Sequence, residues 1–325
     1  MTQKLRDFVP ALKYGAKIYP EDIAGMIGLP HIGSIFYVDA SAGADTNSGL
    51  TQGDALATVA AAYAKMTDGA HDVTVIAPSG GTGRTAETTA ITWGKRFAHL
   101  VGNAAPTYQD ARAGISFGTG GSLSVTENGC IFRNLTFNGT TDINVPVTVS
   151  GHYNSWIGVD FKGSLNGTTG DDTAARALYL NGAQENTFIG CTLGADTFAR
   201  SAANATLEFA SSASRNIFSD CRFIMHADAE TPVHVLLTGT SAIDRWIEFN
   251  DCLFYAFYTN HTAKVNAVIN ASAQTATGDI MMTGNCQSVG FDDWEATAAS
   301  GIVWFPSVKD TNPGTTAGIM INNVT

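Results

Sequence analysis

The sequence predicts an all-β chain wound as a parallel β-helix, each coil stacked on the one before. Three observations predict this: a composition poor in helix formers, a strand motif that recurs along the chain, and one column of that motif restricted to Gly, Asn and Asp. The chain has 325 residues, 44% hydrophobic and 14% charged, enough to bury a long core. Gly reaches 34 residues, Thr, Ser, Asn and Ala are conspicuous, and Lys and Glu are scarce. That balance favours short strands joined by turns over helices.

The recurring segments are IFRNLTF, SWIGVDF, TFIGCTL, IFSDCRF, EFNDCLF and MTGNCQS. Aligned on a common position zero, they place Leu135, Val159, Cys191, Cys221, Cys252 and Cys286 in one column, at spacings of 24, 32, 30, 31 and 34. Three residues earlier stand Phe132, Trp156, Phe188, Phe218, Phe249 and Thr283; two later stand Phe137, Phe161, Leu193, Phe223, Phe254 and Ser288. Immediately before zero come Asn134, Gly158, Gly190, Asp220, Asp251 and Asn285, residues that tolerate left-handed backbone angles.

On a straight strand, zero and plus two face one way and minus three faces the other. A bend at minus one turns the aromatic inward again, so each repeat rounds a corner there. Strand-like runs precede the repeats at 145–151, 176–182, 206–212, 233–239 and 265–271. Two or three strands per repeat, with no helix between them, exclude βαβ units and leave a solenoid whose coils cover one another's core. Its open start needs a cap. Strand 35–40 is followed by a helical pattern over 54–66, with Leu56, Val59, Ala60 and Tyr63 on one face and Asp68 and Gly69 as its stop. Run 72–80 then starts the first full coil.

FYVDASAGADTNSGLTQGDALATVAAAYAKM, followed by VTVIAPSG, resembles the opening of pectate-lyase-like right-handed β-helix proteins, and RFAHLVGN (96–103) resembles their second-coil strand. The resemblance spans roughly residues 35–310. It implies a right-handed parallel β-helix with a short N-terminal capping helix, to which residues 1–34 add an extended N-terminal arm. The superfamily includes polysaccharide lyases and hydrolases, and also bacteriophage tailspikes and capsid-surface proteins. The sparsely charged, Gly-, Thr- and Ala-rich texture is most similar to the phage members. The Arg-Pro and Asp-His motifs of pectate lyases, and the paired-Asp and Gly-His-Gly motifs of polygalacturonases, are not apparent here.

Residues 1–34 do not follow the repeat. They carry three prolines and an apolar series that includes Phe8, Leu12, Tyr14, Tyr19, Ile23 and Met26, with one short helix expected at PEDIAGMIG. This reads as a docking arm on an acidic solenoid; the alternative is packing against the solenoid's own end. The domain division is therefore an arm over 1–34 and a β-helix domain over 35–325, with capping elements at 35–70, coils to about 310 and an end strand within 311–325.

No catalytic residue, metal ligand or cofactor is assigned. The acids that invite the question are Asp220 and Asp251, in one column of adjacent coils, and the loop pair Asp171 and Asp172 near Arg176. Stacked strands lie ~4.8 Å apart, near the carboxylate spacing of retaining glycosidases. The same column holds Asn and Gly elsewhere, so a turn position that accepts Asp is the simpler reading. Asp39, Asp45 and Asn47 offer oxygens but lack calcium-loop spacing and read as an Asx-rich turn. Tyr255, Phe257 and Tyr258 cannot all face inward and read as a subunit interface or a glycan platform. The cysteines read as small buried hydrophobes, and five of them without a CxxC give no disulfide framework or zinc knuckle.

The net charge of −11 argues against nucleic acid as a partner. No run nears the ~18 apolar residues of a membrane span, and no apolar leader follows MTQKLRDFVP. The expected role is a non-catalytic structural protein on a bacteriophage virion surface, assembled in the host cytoplasm. It would be a capsid-decoration protein or short spike, a homotrimer as is typical of the phage families it resembles, held to capsid or tail subunits by its arm. The alternatives are a tailspike depolymerase, by lyase or hydrolase chemistry, and an adhesin for a host surface glycan.

Overall fold

The computed structural model describes residues 33–77, 84–259, 263–296 and 302–305, together with the backbone of 319–320. The arm residues Phe8, Leu12, Tyr14, Tyr19, Ile23 and Met26 lie outside that set, as does most of 311–325. Among the described residues three sheets run the length of the molecule. Sheet A has eleven strands, from Ile35–Val38 to Val303–Phe305 in parallel, closed by Ile319–Met320 in antiparallel pairing. Sheets B and C have eight parallel strands each, from Arg84–Glu87 to Gln287–Val289 and from Ala90–Trp93 to Phe291–Glu295. The chain visits A, B and C in turn and forms a right-handed parallel β-helix.

The corner between sheets A and B is the bend read from the motif. Asn134, Gly158, Gly190, Asp220 and Asp251 have φ of 54°, 59°, 59°, 54° and 51°. The left-handed residue turns the chain so that the minus-three aromatics and the zero and plus-two residues all face one interior. Phe132, Trp156, Phe188, Phe218 and Phe249 are fully buried and stack in register. Their ring centroids are 3.9, 5.9, 4.4 and 5.0 Å apart. Such pairs add about 0.5–1.5 kcal/mol each beyond burial. Cys191, Cys221 and Cys252 form a thread of buried free thiols beside them. Burial pushes the Cys221 thiol well above its usual range, so it stays protonated and inert.

A second ladder is polar. Asn154, Asn186 and Asn216 are buried just before the aromatic column. Asn154 Oδ1 accepts the Cys130 N–H (2.8 Å), Asn186 Oδ1 the Asn154 N–H (2.9 Å) and Asn216 Oδ1 the Asn186 N–H (3.0 Å). Each Nδ2 donates back to a carbonyl of the preceding coil: Glu127, Gly151 and Ala183. The ladder satisfies backbone groups at a second corner that no strand pairing reaches. It ends at Ile247, fully buried, which lies in register with Asn216.

Two details differ from the sequence reading. The cap is a 3-10 turn, Gln52–Asp54, and then a helix, Val59–Lys65, capped by the Thr58 side chain. Asp54 is drawn off instead by the Ser48 N–H (3.0 Å). The helix buries Val59 and Ala62, while Ala60 and Tyr63 are half-buried, and Tyr63 stacks on Trp93 at 4.5 Å. In the sixth repeat the left-handed residue is Gly284 (φ 63°), and Asn285 is an extra residue. Met282, not Thr283, therefore fills the aromatic column, and Cys286 is half-exposed.

Candidate functional site

The loop between sheets A and B in the second full coil is long, and it turns down the corner instead of crossing it. Its start is held by Asn134, whose Nδ2 donates to Gly102 O (2.9 Å) and Ala104 O (2.5 Å). Further on, the Asp110 N–H donates to Asp160 Oδ2 (2.6 Å), and the Asp110 carboxylate pairs with Arg84 and with Lys162 (2.9 Å). Between these anchors Tyr108 reaches two coils further, where the Arg222 guanidinium lies 3.6 Å from its ring centroid. The segment 103–113 is a strap along the corner.

Under the strap, the first residues of successive sheet B strands are Thr136, Asp160 and Thr192, all buried. Burial raises the Asp160 carboxyl to about 7, against the Asp110 N–H and the charges of Lys162 and Arg84. Burial would raise Asp110 too, but hydrogen bonds from Lys162 and Arg84 and their charges hold it at about 2. These groups have consequences of opposite sign. The fold favours neutral Asp160, so its contribution is complete below its unfolded value of 3.8 and is lost as pH rises through about 7. Asp110 contributes above its unfolded value of 3.8 and its contribution is lost as pH falls through about 2. The melting temperature should therefore fall between about pH 4 and pH 7 and level off above that, and Asp160→Asn should flatten that slope in thermal unfolding followed by circular dichroism.

Where the strap ends, a groove of about 290 Å³ opens on the same corner, lined chiefly by Tyr108, Asp220, Arg222, Asp251, Asn285 and Gln287. The sequence candidates Asp220 and Asp251 are brought together here, both exposed, on adjacent coils. Asp251 Oδ1 accepts the Asn285 N–H (2.7 Å). A Cβ at position 284 would lie 2.5 Å from that oxygen, so Gly284 makes room for the carboxylate. An acid–nucleophile pair needs two unlike environments; these carboxylates share one open corner.

The other candidates lie elsewhere. Asp171 accepts the Ser201 N–H (2.6 Å), the Ser201 hydroxyl (2.6 Å) and the Ala202 N–H (2.8 Å). Asp172 accepts the Ala174 N–H (2.7 Å). Arg176 is paired with Glu208 at 2.5 Å on sheet C. Asp39 and Asp45 cap turns through Ser41, Ala42, Ala57 and Thr58, and Asn47 donates to Ala55 O, so their oxygens do not converge. Tyr255, Phe257 and Tyr258 are half-buried on the last full strand of sheet B. Phe257 packs on His226 at 4.8 Å. Among the described residues no cluster of three His, Cys, Asp or Glu side chains could hold a metal ion.

No protein-family model matches the chain, and no curated protein matches it. Solved structures do. A pectin methylesterase from Aspergillus niger superposes with a TM-score of 0.51 at 13% identity, over 82% of this chain and 91% of that one. A pectin methylesterase in complex with a hexasaccharide gives 0.50 at 13% identity, over 85% and 93%. Geobacillus virus E2 ORF18 aligns more loosely, with a TM-score of 0.34 at 12% identity, over 94% and 65%. The chain shares the parallel β-helix fold of these pectin methylesterases. At such identities the likeness concerns architecture, and the chemistry rests on this chain's own residues.

Sequence reading missed Tyr108, Asp110, Asp160 and Arg222. Asp160 had one visible signal, an ionisable residue one place after position zero, where neighbouring repeats have Thr136 and Thr192. The strap had none, because its partners are set by how far a loop runs along the solenoid.

Proposed function

We propose that this protein is a non-catalytic structural component of a bacteriophage virion, a capsid-decoration protein or short spike mounted through residues 1–34. The observation that supports this best is the state of its acids. Asp171 and Asp172 cap turns, Glu208 is paired with Arg176, Asp160 is buried beneath the strap, and Asp220 and Asp251 are both exposed at an open corner. None forms the unlike, facing pair that glycoside cleavage requires. The continuous aromatic and asparagine ladders suit a rigid rod on a particle surface. The apolar, proline-punctuated arm supplies the means of attachment to capsid or tail subunits, and a symmetric homotrimer is the assembly typical of the phage families the chain resembles.

Deleting residues 1–34 should leave a folded solenoid that no longer joins the particle. Quantitative immunoblotting of purified virions from a phage carrying the deletion tests this. Wild-type incorporation would refute the arm's role. Release of reducing ends or unsaturated products from host polysaccharide by the full chain would refute the non-catalytic reading.

A further inference from the structure

We infer that the corner groove beyond the strap is a binding site for an uncharged glycan, taking one or two sugar rings with adjacent hydroxyls. This goes beyond the structural role: a solenoid that binds no sugar can still be mounted on a particle.

The groove is built, not left over. Its end wall is Tyr108, held out by a strap whose anchor brings together Arg84, Asp110, Lys162 and buried Asp160. Arg222 covers one face of the Tyr108 ring, yet the residue is 53% exposed. Its remaining surface opens toward solvent at the groove mouth. A pyranose presents a face of C–H groups, weakly positive, which suits the electron-rich face of an aromatic ring.

The floor is polar and repeats with the coils. Asp220 and Asp251 follow one another at the corner of stacked coils, whose backbones repeat about every 4.8 Å, so two carboxylates can each accept one hydroxyl of a vicinal diol. The Asp220 N–H donates to Asn250 O (3.0 Å) and leaves its exposed carboxylate to the groove, and Asp251 keeps one oxygen after accepting the Asn285 N–H. The Asn285 and Gln287 side chains are exposed and offer both donors and acceptors. One register step along the same face of sheet B come Ile224, Tyr255 and Val289, the last 49% exposed, an apolar shelf beside the polar floor. Polar groups beside an apolar shelf and an aromatic wall suit a sugar, which is amphipathic in the same way. About 290 Å³ accommodates a small ligand.

Charge selects the class. Two carboxylates stand against one guanidinium that is already engaged by Tyr108, so the groove repels uronates and other anionic sugars. The column continues upward beneath the strap through Thr192 and Asp160, whose Oγ1 and Oδ1 are buried without partners. The strap therefore sets where the open, ligand-accessible part of the corner begins.

The test is titration calorimetry of the full chain with maltotriose, chitotriose, trigalacturonate and calcium chloride, each up to about 10 mM. Maltotriose or chitotriose should bind and trigalacturonate should not. Tyr108→Ala removes the wall. Asp220→Gly removes one carboxylate at a left-handed position where other coils carry Gly158 and Gly190. Each should weaken binding about tenfold or more with the unfolding midpoint unchanged. The inference is overturned if neither uncharged trisaccharide binds, if binding survives in both variants, if trigalacturonate binds better, or if only calcium binds. None of these results bears on virion incorporation, so the site and the mounting role fail separately.

Discussion

Replacing Trp156 with alanine should destabilise the solenoid by about 3–5 kcal/mol. Trp156 is fully buried in the middle of the aromatic column, 3.9 Å from Phe132 and 5.9 Å from Phe188. It also touches Phe137 edge-on and lies 5.3 Å from Phe161. Its removal opens a void that the stacked backbones cannot close, because strand pairing fixes the coil spacing on both sides. Trp156→Phe should cost far less, under about 1.5 kcal/mol. The indole N–H is buried without a partner, so phenylalanine loses no hydrogen bond and restores the stack used by the other coils. Guanidinium unfolding of both variants checks the pair. A similar cost for each would show that column shape matters less than indole volume.

Asn186→Ala should cost about 3 kcal/mol or more by the same measurement. The asparagine is fully buried at the centre of its ladder. Without it the Asn154 N–H loses its acceptor, and the carbonyls of Gly151 and Gln184 lose donors at 3.1 and 3.2 Å. Asn186→Leu should not recover the loss, since the stranded partners are backbone groups that no apolar side chain satisfies. Asn186→Asp should be worse, for it buries a charge and removes two donors.

Together these variants show what was legible in the sequence. The aromatic, Cys and Gly/Asn/Asp columns could be read because a solenoid repeats its corner, and repetition turns local backbone chemistry into a pattern. The sixth repeat broke the reading because one inserted residue, Asn285, moves the left-handed turn to Gly284 and the core position to Met282. The asparagine ladder was in plain view at Asn186 and Asn216, two places before Phe188 and Phe218, but its meaning lies in backbone groups that carry no side-chain signature. The strap was invisible. Tyr108 and Asp110 meet Arg222 and Asp160 only because the loop runs along the corner, a matter of path length and direction.

The candidate acids follow the same logic. Asp220 and Asp251 were paired correctly by register, yet register says nothing of environment, and environment decides whether two carboxylates divide the roles of acid and nucleophile. Here one side chain holds the next coil's turn and both face an open groove.

The most direct test of the proposed virion role is cryo-electron microscopy of particles of a phage that encodes this chain. Rod-shaped solenoids should stand on their surface in symmetric groups, with residues 1–34 ordered against neighbouring capsid or tail subunits. A particle without the solenoid, or an arm packed wholly against its own β-helix, would contradict it.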